Sequence, residues 1–326
     1  MEPGEDALLA SVRGTLLGCA VGDALGAPYE GLWGQTLPSP DELLRAFGAF
    51  HGFPPGQFTD DTQLSLATVE AILETGEVHP QPIAAAIAEL FRHATVIGPG
   101  GACMQAADAF LTSGDWRDAG APLGQAGNGT AMRAAVVGMA YVGSGTAPID
   151  TYADVARVTH RDPRSVAGGA VISLAAQRLA EDPATTPEVL CDELAEAARA
   201  FAPPFAEEIA RIPELLTWAP DRAARHIAPA GQRYREFDEP IITPFVVPSV
   251  LASLWAALRH PDAWGSAVAE VIRLGGDVDT TGAIVGALQG ARLGVDAIPP
   301  HLRDGVVDAA RIDALARRYT AWIRRG

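Results

Sequence analysis

Two ladders of glycine constrain this chain more than any other feature. Gly14, Gly18, Gly22 and Gly26 recur every four residues near the start, and Gly282, Gly286, Gly290 and Gly294 repeat that spacing near the end. Four residues is little more than one helical turn, so each set lies along one face of a helix and leaves it without side chains. A face of that kind has little to bury unless another helix packs against it closely. The ladders therefore predict two close-packed helices, the first over residues 8–27, that are neighbours in the centre of the fold.

The pairing carries chemistry with it. The second ladder begins inside Gly-Gly-Asp-Val-Asp-Thr-Thr-Gly (275–282), which sets Asp277, Asp279 and Thr280 at the start of an apolar helical run. More than two hundred residues earlier, Thr59-Asp60-Asp61-Thr62 opens another such run, with Leu64, Leu66, Val69 and Ile72 on its apolar side. Asp and Thr are favoured helix N-caps, and the dipole at a helix start welcomes negative charge. One cap needs one acid, however, and each cluster supplies two. Carboxylate and hydroxyl oxygens suit Mg²⁺, Mn²⁺ or Ca²⁺, whereas these segments hold none of the imidazole or thiolate ligands that favour zinc. Taken together, Thr59, Asp60, Asp61, Asp277, Asp279 and Thr280 exceed what one magnesium ion needs. Two divalent cations sharing a bridging carboxylate would use the set and offset its repulsion.

Two further acids join the argument. Asp23 stands inside the first ladder helix, where an aspartate is costly unless hydrogen-bonded, and is expected to support the site from behind. Glu30 follows the helix end marked by Gly26 and Pro28; alone it reads as a surface acid, but it can also point into a site. Gly127, Asn128, Gly129 and Thr130 open a Gly-rich helix start whose free N–H groups can cradle an anion without lysine, although Gly-Asn-Gly is also a common turn. Gly100 and Gly101 belong to a glycine loop whose backbone can approach a ligand closely, or form a plain turn. His160, in Thr-His-Arg-Asp-Pro, reads alone as a structural histidine, and the other histidines have no metal-ligand spacing. Arg133 is expected to form a salt bridge within the fold rather than touch a ligand.

The remaining pattern is helical. Helices are expected over residues 41–47, 83–93, 103–111, 164–179, 186–202, 205–216, 220–227, 248–258 and 263–274, with more at the C-terminus. Residues 31–56 read as a Gly/Pro-rich cover. Only residues 240–245 look β-like, and their prolines demote them. The expectation is an all-α fold, a compact orthogonal multi-helix arrangement in one domain over residues 1–326.

With 326 residues, 48% hydrophobic and 20% charged, the chain is long enough for a large core. A net charge of −16 argues against contact with a nucleic-acid backbone. All 24 cationic residues are arginine, which removes a Schiff-base or P-loop lysine from any mechanism. Cys19, Cys103 and Cys191 are far apart and form no C-x-x-C, which suits a reducing cytoplasm. The apolar run over residues 8–21 is broken by Arg13, follows an acidic start and is too short for a bilayer, so neither export nor a membrane is expected. A monomer is expected.

Five segments together carry a resemblance: GCAVGDALGAPYE (18–30), PGQFTDDTQLSLA (55–67), GNGTAMR (127–133), THRDP (159–163) and GGDVDTTGAIVGALQGA (275–291). In this order, spanning almost the whole chain, they resemble the ADP-ribosylglycohydrolase family, which includes the dinitrogenase reductase-activating glycohydrolases. The resemblance implies an all-α domain with a binuclear Mg²⁺ or Mn²⁺ site. Its ligands would be Thr59, Asp60, Asp61, Asp277, Asp279 and Thr280, with Asp279 as the bridge. Glu30 would be a mobile gating glutamate, the 127–130 loop would bind a diphosphate, and His160 would line the ligand cleft.

The implied reaction is hydrolysis of the bond between C1 of the distal ribose of ADP-ribose and an acceptor atom on a protein or small molecule. Glu30 or Asp61 would move the proton, with Asp279 as the third catalytic carboxylate. One departure bears on the acceptor. Members acting on ADP-ribosyl-arginine resemble an Asp-x-Gly-Asn pattern where this chain has Ile97-Gly98-Pro99-Gly100-Gly101, so the acid to meet a guanidinium is missing there. Serine-linked ADP-ribose, an ADP-ribosylated nucleobase and free ADP-ribose derivatives stay open. Two other readings compete: a two-metal phosphoester or pyrophosphate hydrolase, and a non-catalytic ADP-ribose-binding or crystallin-like protein. Oxygen side chains at all six ligand positions argue against the last.

Overall fold

The structure, a computed structural model, describes residues 3–231 and 239–325. The fold is all-α, with no strand among the described residues. Eight helices frame the site: α1 (Pro3–Gly26), α2 (Asp60–Thr75), α3 (Gly101–Ser113), α4 (Pro163–Glu181), α5 (Val246–Arg259), α6 (Trp264–Ile272), α7 (Val278–Leu293) and α8 (Ala309–Ile323).

The two ladders meet face to face. A Cβ on Gly22 would stand 2.0 Å from the Gly282 carbonyl oxygen, one on Gly18 would stand 2.1 Å from that of Gly286, and one on Gly14 2.2 Å from that of Gly290. Because the partner number falls as the residue number rises, α1 and α7 run antiparallel. Any side chain at these positions would drive the backbones apart, so the ladders are the condition for this contact. The end of the ladder places Gly26 against Val278, where a Cβ would come within 2.3 Å of its carbonyl oxygen. The C-terminal end of α1, with Asp23, is thereby set against the first turn of α7, with its acids.

Around this pair the core is apolar and continuous. Leu16, Leu17, Val21, Ile284, Val285 and Leu288 are buried on the flanks of the ladders, and Trp264 donates its indole N–H to the Gly286 carbonyl at 3.0 Å. Further out, Tyr319 on α8 donates its hydroxyl to the Val136 carbonyl at 2.7 Å. Both of these buried aromatics thus find an acceptor for their polar ends.

Several expectations needed adjusting. The segment from 205 to 216 is two short helices, Pro203–Ala210 and Ile212–Leu215, because Pro213 cannot continue the first. Residues 41–47 yield only Pro40–Leu43. The helix Trp116–Ala119 was not anticipated, the helix expected to open at residues 127–130 begins only at Ala135–Met139, and the helix that leads into residues 159–163 is Ile149–Arg157. The length argument against a membrane span also fails, since Ala7–Tyr29 is long and apolar enough to cross one. In this fold 78% of that apolar window is buried within the protein, much of it against α7.

Residues 240–245 form no strand, but their backbone has a definite role. Ile242 pairs with Gly276 and Phe245 with Gly127 in isolated bridges. The Asp277 N–H donates to the Ile242 carbonyl at 2.7 Å, and the Asn128 N–H to the Pro244 carbonyl at 3.1 Å. This segment ties the start of α7 to the Gly-Asn-Gly turn. Gly276, at φ +89°, leaves no room for a side chain: a Cβ there would lie 2.0 Å from the Ile242 oxygen.

Candidate functional site

A cleft of about 250 Å³ opens where these pieces converge. One side is acidic, with Glu30, Asp60, Asp61, Asp277, Asp279 and Thr280; the other carries Gly127, Asn128, Gly129, Met132 and His160. Gly98, Gly100, Gly101, Ala102 and Cys103 form an uncharged edge. Two residues expected at the site do not line the cleft. The Thr130 hydroxyl donates to the Ser165 carbonyl at 2.6 Å, holding the turn against α4. Thr59 is buried behind the acids.

The acids are not helix caps. Thr59 and Asp277 occupy the N-cap positions of α2 and α7, yet neither side chain makes a cap hydrogen bond. The first turn of α2 is instead satisfied by Asp23 of α1. Its carboxylate accepts from the Thr59 N–H at 3.0 Å, the Thr62 N–H at 3.1 Å and the Thr62 hydroxyl at 2.6 Å. The Thr59 hydroxyl lies 2.9 Å from Asp23 and 3.1 Å from Asp61, and its single proton serves one at a time. Asp23 thus fixes the start of α2 and leaves Asp60 and Asp61 free to face the cleft.

On the α7 side, Asp277 accepts from the Asn128 amide, which also donates to the Ser249 hydroxyl at 3.0 Å. Ser249 passes its own proton to the Thr243 or Phe245 carbonyl. The Thr280 N–H donates to Asp279 at 2.9 Å. Asn128, expected as a ligand contact, therefore also holds an acid in place.

The electrostatics are one-sided. Burial pushes the Asp23 carboxyl up to about 6, against the hydrogen bonds from Thr62 and Thr59 that hold it down. Asp60 is pushed to about 8, first by burial and then by Asp23 and Asp277, while the Gly100 N–H pulls it down. Asp61 and Asp279 stand well above the carboxylate range through burial and neighbouring carboxylates, and Asp277 is raised chiefly by burial. Glu30, exposed at the rim, is raised by partial desolvation and by Asp277 and drawn back by His51.

None of these six acids forms an ion pair among the described residues. Asp61 Oδ1 is buried without any hydrogen-bond partner, and carboxylate oxygens of Glu30, Asp277 and Asp279 lie within 4.8 Å of one another. Unpaired buried carboxylates are costly, and a hard divalent cation with oxygen ligands is what this set accommodates.

The opposite side is built from backbone and neutral groups. A Cβ on Gly127 would stand 2.8 Å from His160 Nε2, and one on Gly129 2.7 Å from Cys103 Sγ and 2.9 Å from His160 Cε1. The glycines allow the turn to rest on the imidazole and the thiol. His160 is buried and held down to about 3 by burial and by the Arg133 guanidinium, so it is neutral. Burial pushes the Cys103 thiol up to about 12, so it is protonated. Cys103 and Pro244 were missed in the sequence because single residues of this kind carry no motif, and Met132, although inside GNGTAMR, because an apolar side chain there reads as core.

Comparison with known proteins fits this geometry. The chain is 28% identical to the ADP-ribosyl-[dinitrogen reductase] glycohydrolase of Rhodospirillum rubrum, over 88% of this chain and 86% of that one. It is 25% identical to the ADP-ribosylhydrolase ARH3 of Danio rerio, over 95% and 90%. Among solved structures, a chain of an ADP-ribosylglycohydrolase-related protein complex superposes with a TM-score of 0.74 at 27% identity, covering 97% of this chain and 99% of that one. The sequence profile for ADP-ribosylglycohydrolase matches residues 4–325. With the five motifs converging on one cleft, this chain belongs to the ADP-ribosylglycohydrolase family of hydrolases.

Proposed function

We propose that this protein hydrolyses the glycosidic bond between C1 of the distal ribose of an ADP-ribosyl group and its acceptor, releasing ADP-ribose in a divalent-cation-dependent reaction. The observation that carries the reading is the contrast across one cleft: carboxylates without cationic partners on one side, glycine backbone and neutral donors on the other.

Thr59, Asp60, Asp61, Asp277, Asp279 and Thr280 would hold the cations, Mg²⁺ or Mn²⁺. Bound there, the cations would supply Lewis-acid charge that offsets the carboxylates and attracts sugar hydroxyls. Asp23 keeps the start of α2 in place, and Asn128 does the same for Asp277. Glu30 is the carboxylate at the rim, and its raised affinity for protons suits it to move a proton between water and the acceptor atom. Asp61 is less suited to that task because it is buried, away from the water that would take or return the proton. The 127–129 turn supplies backbone and amide groups to the diphosphate.

The acceptor would lie toward Gly98, Gly100, Gly101 and Ala102. No acidic side chain comes from that loop, which favours an uncharged acceptor, such as a hydroxyl, over a guanidinium.

The test is a panel of defined ADP-ribosyl linkages incubated with Mg²⁺ or Mn²⁺ and scored for products. Intact ADP-ribose, lost on chelation, is expected. AMP plus ribose phosphate would mark a pyrophosphate hydrolase instead, and full activity after chelation would overturn the cation requirement.

A further inference from the structure

Among the described residues, Arg133 is the one buried cation near the cleft, and the proposed reaction does not use it. It is 1% exposed, faces no carboxylate, and its Nε has no hydrogen-bond partner. Its Nη2 donates at 2.9 Å to both the Val155 carbonyl and the Thr159 hydroxyl. The Thr159 oxygen in turn lies 3.1 Å from His160 Nδ1. Among the described residues, the Thr159 hydroxyl has no other hydrogen-bond partner, and Thr159 and His160 are both buried.

Proton counting then decides the imidazole. A guanidinium can only donate, so the Thr159 oxygen accepts from Arg133. The hydroxyl still has one proton, and the only acceptor within reach is His160 Nδ1. Were Nδ1 protonated, the oxygen would accept twice and its own proton would be buried without a partner. That penalty disfavours the alternative by about tenfold or more. The proton of the neutral ring therefore sits on Nε2, the atom that points toward Gly127.

We propose that Arg133 and Thr159 are positioning residues that fix His160 as the Nε2–H tautomer, aimed as a hydrogen-bond donor at the 127–129 floor of the cleft. Neither Gly127 nor Gly129 sets a side chain against that donor, where a Cβ would stand 2.8 and 3.7 Å from Nε2. The backbone is held as well: Ala121 donates to the Thr159 carbonyl at 2.9 Å and accepts from the Arg161 N–H at 3.0 Å. The partner of the donor is an acceptor oxygen of the ligand, a statement that rests on the function proposed above. A neutral donor suits this place, because an imidazolium would repel cations held by the acids opposite. Arg133 supplies the order without reaching the ligand, since its charge is spent on a threonine and a carbonyl behind the cleft wall.

The experiment is long-range ¹H–¹⁵N correlation on histidine-labelled protein, with His160 assigned through His160→Gln. Wild type and Thr159→Ser are expected to show a single Nε2–H form near neutral pH. Thr159→Val, which removes the relay, is expected to give mixed tautomers and about tenfold weaker ADP-ribose binding, with Thr159→Ser restoring both. An Nδ1–H form in wild type, or a single Nε2–H form in Thr159→Val, would overturn the proposal. Should Thr159→Val not fold, the wild-type and Thr159→Ser spectra decide it. The spectrum needs no ligand, so failure of the wild type to bind ADP-ribose would count against the functional reading and not against the tautomer.

Discussion

The two walls of the cleft solve opposite problems. The acidic wall is assembled from three parts of the chain, the end of α1 and the starts of α2 and α7, and its carboxylates repel one another. The neutral wall is assembled from a turn and a histidine, and its groups are held in place by hydrogen bonds behind it, from Asn128 to Ser249 and between Thr159 and His160. A wall of unpaired anions is unfinished without cations, whereas a wall of fixed donors is complete before any ligand arrives. The division suggests a ligand held at its sugar through cations and at its phosphates through hydrogen bonds.

Substitutions on the two walls should therefore separate. The largest effect is expected from Asp279→Ala, which should lower kcat/KM by about three orders of magnitude, measured as ADP-ribose release at saturating Mg²⁺ or Mn²⁺. Retained activity would break the comparison outright.

Next in size is a stability effect confined to the acidic wall. Asp23 at about 6 and Asp60 at about 8 stand above the ordinary unfolded carboxylate value near ~4, so the native state binds more protons than the unfolded one between those limits. Without divalent cations, stability should fall as pH rises from about 4 to about 8. Saturating Mn²⁺ should flatten that slope and add about 2.7 kcal/mol at a hundredfold excess over Kd, read from thermal midpoints at pH 5 and pH 8. Identical slopes with and without the cation would argue that these acids are not its ligands.

Asp23→Asn sets an amide against the donors of α2's first turn. It should weaken cation affinity about 10- to 100-fold by calorimetry while leaving the neutral wall intact. The smallest effect is expected on that other wall. Gly129→Ala crowds Cys103 and His160, and should raise KM about tenfold with little change in cation affinity. If Gly129→Ala weakened the cation as much as Asp23→Asn, the two walls would not be separable.

These contrasts also show what could be read in the sequence. The ladders were visible because close helix packing demands small residues at one period, and the acid clusters because paired carboxylates at two helix starts exceed any capping need. Asp23 was recognisable as a supporting residue because an aspartate in an apolar helix must have partners. Thr130 shows the opposite case: its place in a Gly-rich turn suggested ligand contact, yet its hydroxyl is tied to Ser165. Nothing in the one-dimensional pattern tells an inward hydroxyl from an outward one. Residues 240–245 were equally opaque, since their work is done by backbone carbonyls that any sequence carries. Arg133 was expected to form a salt bridge inside the fold, and instead it donates to neutral oxygens, because no carboxylate is packed beside it among the described residues.

The ladder contact also sets the phase of the active site. Each residue advances a helix by about 100° and 1.5 Å, so inserting one residue between Gly22 and Asp23 would swing Asp23 about 100° away from Thr59 and Thr62. Deleting one between Gly276 and Gly282 would turn the α7 acids away from those of α2. Substitution can tune either wall, but the length of these two helices is fixed by a register in which carbonyl meets glycine. The spacing of the acids therefore behaves as a single unit, set by the helix contact and not by the acids themselves.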